Sequence, residues 1–143
     1  MLRPEATGFG VIYFIEDMLQ RRSETLEDKR VVISGSGNVA QFTAKKAIAM
    51  GAKVLTMSDS SGMIYDPDGI DEDKLDWIME LKNLRRGRIR EYVDEFDGAE
   101  YIEGGAPWNI PCDVAIPAAT QNEIFLEDAQ AHASFMYRIH NAT

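Results

Sequence analysis

The chain has 143 residues, 45% hydrophobic and 27% charged, enough for one soluble domain with its own core and no disordered tract. A net charge of -9 argues against a nucleic-acid partner or an anionic membrane surface, and no apolar run reaches spanning length. The lone cysteine, Cys112, excludes an internal disulfide. With His132 and His140 it makes no metal-ligand spacing, so no metal is expected. Met1-Leu2-Arg3-Pro4-Glu5 lacks a signal-peptide core, and a cytoplasmic protein is the expectation.

Val11, Ile12, Phe14, Ile15, Met18 and Leu19 recur at helical spacing and predict an amphipathic helix from about Thr7, a candidate N-cap, to Arg22. Arg30 to Ser34 reads as a strand, Asn38 to Met50 as a helix with Gly51 as its terminator, and Lys53 to Ser58 as a second strand ending at Asp59. Asp66-Pro67-Asp68-Gly69 carries turn chemistry. A helix follows through Leu75, Ile78 and Met79, acidic in its first turn, cationic at its far end and broken by Gly87. Ile89, Tyr92, Val93 and Phe96 mark a short helix. Glu100 to Glu103 reads as a weak strand, Gly104 to Pro107 as a loop, and Asp113 to Ile116 as a buried strand leading into Pro117-Ala118. The alternation predicts an α/β fold with a doubly wound, mainly parallel sheet.

The most informative stretch runs from Val31 to Ala40. A β-branched strand feeds Gly35-Ser36-Gly37-Asn38-Val39-Ala40, a G-x-G-x-x-A pattern that opens a helix. The first glycine permits the tight turn, the second lets the backbone approach a pyrophosphate, and the small sixth residue lets the helix pack on the strand. The helix N-terminus then offers N–H groups and a positive dipole end to the anion. The expectation is a Rossmann-like dinucleotide site; the competing reading is an ordinary tight βα turn.

Asp59, at the end of the second strand, stands where an acid bonds the ribose hydroxyls of NAD. Lys82, Arg85, Arg86, Arg88 and Arg90 pull the other way, because an ammonium plus a guanidinium would hold the 2′-phosphate of NADP, with Ser60 as a further donor. They also serve as cations for a helix C-terminus. From pattern alone the choice stays open. Cys112, Trp77 and Trp108 read as packing residues, and Glu123, Glu127 and Asp128 as a solvated face. No catalytic constellation assembles, so no catalytic residue is assigned.

Six separated stretches, from Arg3-Pro4-Glu5-Ala6-Thr7-Gly8-Phe9-Gly10 through Ser34 to Gln41, Ser58-Asp59-Ser60-Ser61-Gly62, Tyr65 to Gly69, Glu80 to Gly87 and Pro117 to Glu123, resemble the cofactor-binding domain of hexameric, NADP-type glutamate dehydrogenases. The resemblance implies that Thr7 contacts the nicotinamide carboxamide and that Asn38 helps hold the dinucleotide. It gives Gly35, Ser36, Gly37 and Val39 the pyrophosphate, and Ala119, Thr120 and Gln121 the nicotinamide side. It also tips the cofactor toward NADP, NAD being second, with Ser60, Lys82 and Arg85 around the 2′-phosphate. The implied reaction is reversible oxidative deamination of L-glutamate to 2-oxoglutarate and ammonium.

In that family a further domain with the glutamate site precedes the Arg3 stretch, and from about His132 to Thr143 the match stops. The expectation is an incomplete Rossmann-like domain over residues 1–130 with a divergent tail at 131–143, inactive alone. A free-standing NADP-binding or sensing module and a non-binding remnant are the alternatives. A missing next strand would leave the Asp113 to Ile116 strand with an open edge, favouring self-association or a tail folded over it.

Overall fold

The computed structural model describes residues 4–104 and 110–118. Five strands, β1 (Arg30–Ser34), β2 (Lys53–Asp59), β3 (Gly62–Ile70), β4 (Glu100–Glu103) and β5 (Val114–Pro117), form one sheet in the order β4-β3-β2-β1-β5. β1 is parallel to both neighbours, β2 and β5, while β3 is antiparallel to β2 and to β4. β4 therefore points the same way as β2, and β3 alone is reversed among the described strands. The expected α/β, mainly parallel sheet is present, with a reversed strand near one edge. Val31, Val32 and Ile33 are wholly buried, as an inner parallel strand requires. Each such side chain contributes about 1.5–3 kcal/mol.

The helices are α1 (Pro4–Gln20), α2 (Asn38–Ala49), α3 (Glu72–Asn83) and α4 (Tyr92–Glu95), the last entered through a 3-10 turn at Ile89–Glu91. α1 begins at Pro4, so Thr7 lies inside the helix rather than capping it. Proline suits the first helical position, where its fixed φ is right and its missing N–H has no partner to lose. At the other end, Glu24 N–H reaches the Leu19 carbonyl and Ser23 turns left-handed at φ 61, which stops α1 at Gln20, short of Arg22. α2 ends as expected at Gly51, whose φ of 90 lets Ala52 N–H bond the Ala47 carbonyl. α1 and α2 meet closely: a Cβ on Gly8 would lie 2.8 Å from the Thr43 backbone nitrogen. Phe9 packs edge-on to Phe42 beside that crossing.

β3 is the element that sequence patterning does not reveal. Asp66-Pro67-Asp68-Gly69 does turn, but within a strand. Register jumps from Thr56↔Tyr65 to Val54↔Ile70, Asp66 Oδ1 accepts the Asp68 N–H at 3.0 Å, and Gly69 adopts φ 92. The four residues form an irregular excursion opposite Leu55, and the strand resumes at Ile70. At the other end of β3, a Cβ on Gly62 would press on the Ile102 carbonyl oxygen and lie 2.9 Å from Glu103 Cα. Both neighbours are backbone, so β4 would have to move. Gly62→Ala is expected to cost about 1–3 kcal/mol. It should also strip hydrogen-exchange protection from β4 before the rest of the sheet. Protection of β4 equal to wild type would show that the approach has slack.

Candidate dinucleotide site

β1 and β5 end side by side, and the chain leaves β1 into α2 on one side of the sheet. In open α/β sheets ligands bind outside such carboxyl ends, where strand order reverses. The turn here is held from beneath by hydroxyl groups. Thr56 Oγ1 accepts from Ile33 N–H at 3.0 Å and donates to the Ile33 carbonyl at 3.1 Å, filling the place where β1–β2 register shifts. Ser58 Oγ accepts from Gly35 N–H at 2.7 Å, and Ser58 N–H bonds the Gly35 carbonyl at 3.0 Å. Ser34 receives Ala118 N–H on both its hydroxyl and its carbonyl, fixing the point where the chain leaves β5.

Gly35 adopts φ 94, a conformation that glycine alone enters without strain. Gly37 is the N-cap of α2 and brings no side-chain cap, so among the described residues the N–H groups of the first turn are left for an incoming acceptor. Among the described residues a Cβ on Gly37 would meet nothing within 4 Å, so its face is open to them. Ser36 is buried, and Val39 and Ala40 pack inward as the small-residue argument requires. A glycine turn with an open face and an uncapped helix start fits a pyrophosphate.

Across the end of β2 lies a second group. Asp59 and Lys82 approach to 3.6 Å (Nζ to Oδ2), with side chains only 6% and 17% exposed. Asp59 Oδ1 accepts Ser61 N–H at 2.9 Å and Oδ2 accepts Ile89 N–H at 2.9 Å. Burial pushes the Asp59 carboxyl up, but the Ile89 and Ser61 N–H groups, the Lys82 charge and the Gly62 N–H outweigh it, and the acid titrates below its usual range. Arg88 Nη1 donates to Ser60 Oγ at 3.3 Å, and Lys82 Nζ donates to the Gly87 carbonyl at 3.1 Å. Of the expected 2′-phosphate residues, Ser60 and Lys82 therefore share one corner with Arg88. Arg85 instead lies over the Trp77 ring, 5.2 Å from its centroid, so Trp77 serves as a platform as well as packing.

Gln41 links the two groups. Wholly buried, it donates to the Ser36 carbonyl at 2.8 Å and exchanges hydrogen bonds with Asn83 at the end of α3. Sequence patterning alone does not single out Gln41, Asn83 or the hydroxyls of Thr56 and Ser58. A glutamine on the packing face of α2 is the available signal, since a buried amide must find partners.

Thr7 lies in the first turns of α1. Ala119, Thr120 and Gln121 fall outside the described residues, as do Trp108, the acids at 123, 127 and 128, both histidines and the 131–143 segment. Cys112 is buried, and burial, then the Asp113 charge, raises its thiol pKa against the opposing pull of Arg30, as suits a packing residue. Among the described residues no group of His, Cys, Asp or Glu is placed to hold a metal ion, and no helix is long and apolar enough to cross a membrane.

The sequence profile of the Glutamate/Leucine/Phenylalanine/Valine dehydrogenase family matches residues 1–139. The chain is 59% identical over 124 residues to a glutamate dehydrogenase of Bacteroides thetaiotaomicron, covering 87% of this chain and 28% of that enzyme. It is 50% identical over 130 residues to the NADP-specific glutamate dehydrogenase of Haemophilus influenzae, covering 91% of this chain and 29% of the relative. Among solved structures, glutamate dehydrogenase 2 of Plasmodium falciparum superimposes with a TM-score of 0.79 at 52% identity, over 87% of this chain and 27% of its own. The chain thus spans somewhat more than a quarter of the relatives it matches. With the glycine turn, the sheet order and this breadth of agreement, the chain belongs to the Glutamate/Leucine/Phenylalanine/Valine dehydrogenase family.

Proposed function

We propose that residues 1–130 form the NADP-binding part of a glutamate dehydrogenase. In this reading Gly35, Ser36, Gly37, Asn38 and Val39 receive the pyrophosphate on the uncapped start of α2. Ser60, Lys82 and Arg88 receive the ribose 2′-phosphate, Arg85 being engaged by the Trp77 ring. Thr7, Ala119, Thr120 and Gln121 line the nicotinamide side. The observation that carries the reading is the pairing of an open glycine turn with a cationic corner across the end of β2. NADP-specific relatives of about half identity support the same choice.

The whole reaction proposed is reversible oxidative deamination of L-glutamate, for which NADP, when bound, would supply the hydride acceptor. In this reading the residues here bind and orient the cofactor, and the chain by itself is inferred to bind it without turning over glutamate. Titration calorimetry with NADP and NAD at two salt concentrations tests the proposal. NADP should bind more tightly, and the preference should shrink as salt screens the corner. Absence of any dinucleotide binding, or equal affinity for both, would reject it.

A further inference from the structure

An acid at the end of β2 in a dinucleotide fold is ordinarily read as a ribose ligand and as a repeller of the 2′-phosphate. Here the carboxylate is directed elsewhere. Its side chain is 6% exposed, one oxygen holds Ser61 N–H, the other holds Ile89 N–H, and Lys82 lies 3.6 Å away. Few lone-pair directions remain for a sugar, and little surface faces one. The groups tied to it are the ones that build the cationic corner. Ser61 follows Ser60, Ile89 follows Arg88, and Lys82 is the third member. Ser60 and Arg88 then meet at 3.3 Å.

We infer that Asp59 is a positioning residue for NADP selectivity, holding Ser60, Lys82 and Arg88 as one phosphate-binding corner rather than touching the ribose. The inference rests on the proposed dinucleotide site and assigns Asp59 a role opposite in sign to its usual one. The inward carboxylate, matched by backbone N–H groups and an ammonium, presents little negative charge to a phosphate above it. Asparagine at this place keeps the shape but turns one of the two oxygens into a donor. It would then face either Ser61 N–H or Ile89 N–H donor to donor, and Lys82 would lose its charge partner and keep the Gly87 carbonyl.

The test compares Kd values of the full chain and its Asp59→Asn variant for NADP, NAD, 2′,5′-ADP and 5′-AMP. The variant should lose about tenfold in affinity for NADP and 2′,5′-ADP, and less than about twofold for NAD and 5′-AMP. A purely structural defect lowers all four together and leaves the ratios unmoved, which would overturn the inference. A ribose-bonding acid predicts the reverse, weaker NAD and stronger NADP, and that result would overturn it too. Should the variant not fold, hydrogen exchange in the unsubstituted chain decides. The Ser61 and Ile89 amides should stay protected when NAD binds, and their release on NAD binding would sink the inference. If the unsubstituted chain binds none of the four probes, the proposed site itself fails, a result distinct from an unmoved ratio.

Discussion

Replacing Asp66 by alanine is expected to destabilise the fold by about 3–4 kcal/mol, seen as a lower urea midpoint with an unchanged slope. Asp66 is wholly buried in the β3 excursion. Its Oδ2 accepts from Tyr92 Oη at 2.6 Å and from Lys74 Nζ at 3.0 Å, and its Oδ1 accepts from Asp68 N–H. One carboxylate therefore fastens β3 to α3 and to α4. Removing it takes an acceptor from three donors, of which the Tyr92 hydroxyl lies in a side chain with no exposure. An unsatisfied buried donor costs about 1–3 kcal/mol, and the loss of a charge partner adds to it. Lys74 keeps the Gly69 carbonyl at 3.3 Å and the Phe96 ring, which limits the total. Tyr92→Phe should cost only about 1 kcal/mol, because it removes the hydroxyl and leaves Asp66 with Lys74. Burial and then the bond to Asp66 raise the Tyr92 pKa far above that of a free phenol, so the contrast should hold across neutral and mildly alkaline pH. Equal losses from the two substitutions would mean that the ion pair contributes nothing beyond the hydroxyl bond.

The frame of the molecule is legible in the chain because local signals and burial agree there. β1 is a continuous apolar run, α2 starts at its glycine pair and ends at Gly51, and α3 carries an aspartate cap whose side chain accepts Lys74 N–H. β3 is not legible, since its strand pattern is interrupted by a true turn, and only pairing with β2 and β4 makes the nine residues one strand. The same division runs through the candidate site. Gly35 and Gly37 announce themselves, because backbone conformation is written in glycine. The direction of the Asp59 carboxylate is not written in its own neighbourhood. It depends on N–H donors at Ser61 and on Ile89, a residue brought up by the turn after α3. Likewise the sequence supplies a run of cations, but the aromatic face of Trp77 takes Arg85 and the Ser60 hydroxyl takes Arg88.

Lys82→Met is expected to weaken NADP binding by about 10- to 100-fold while changing NAD binding by less than about threefold, the spread of one charge-assisted hydrogen bond. Methionine keeps the unbranched stem, so packing at the end of α3 is retained and the change is chiefly one of charge. The lysine is well placed for the role. Its side chain is 17% exposed, and its ammonium is held by Asp59 and by the Gly87 carbonyl. A cation held in place loses less rotamer freedom when it meets a phosphate than a free surface lysine does. Arg88→Gln should act in the same direction but less strongly, since its guanidinium is exposed and its contact with Ser60 is long. Salt separates the two kinds of contact further. The Lys82 contribution, set in a partly buried corner, should persist at ionic strengths that erase the Arg88 contribution. Thermal unfolding of each variant controls for loss of fold. If Lys82→Met leaves the NADP to NAD ratio unchanged, the 2′-phosphate is not held at the end of β2, and the corner formed by Ser60, Lys82 and Arg88 is only structural.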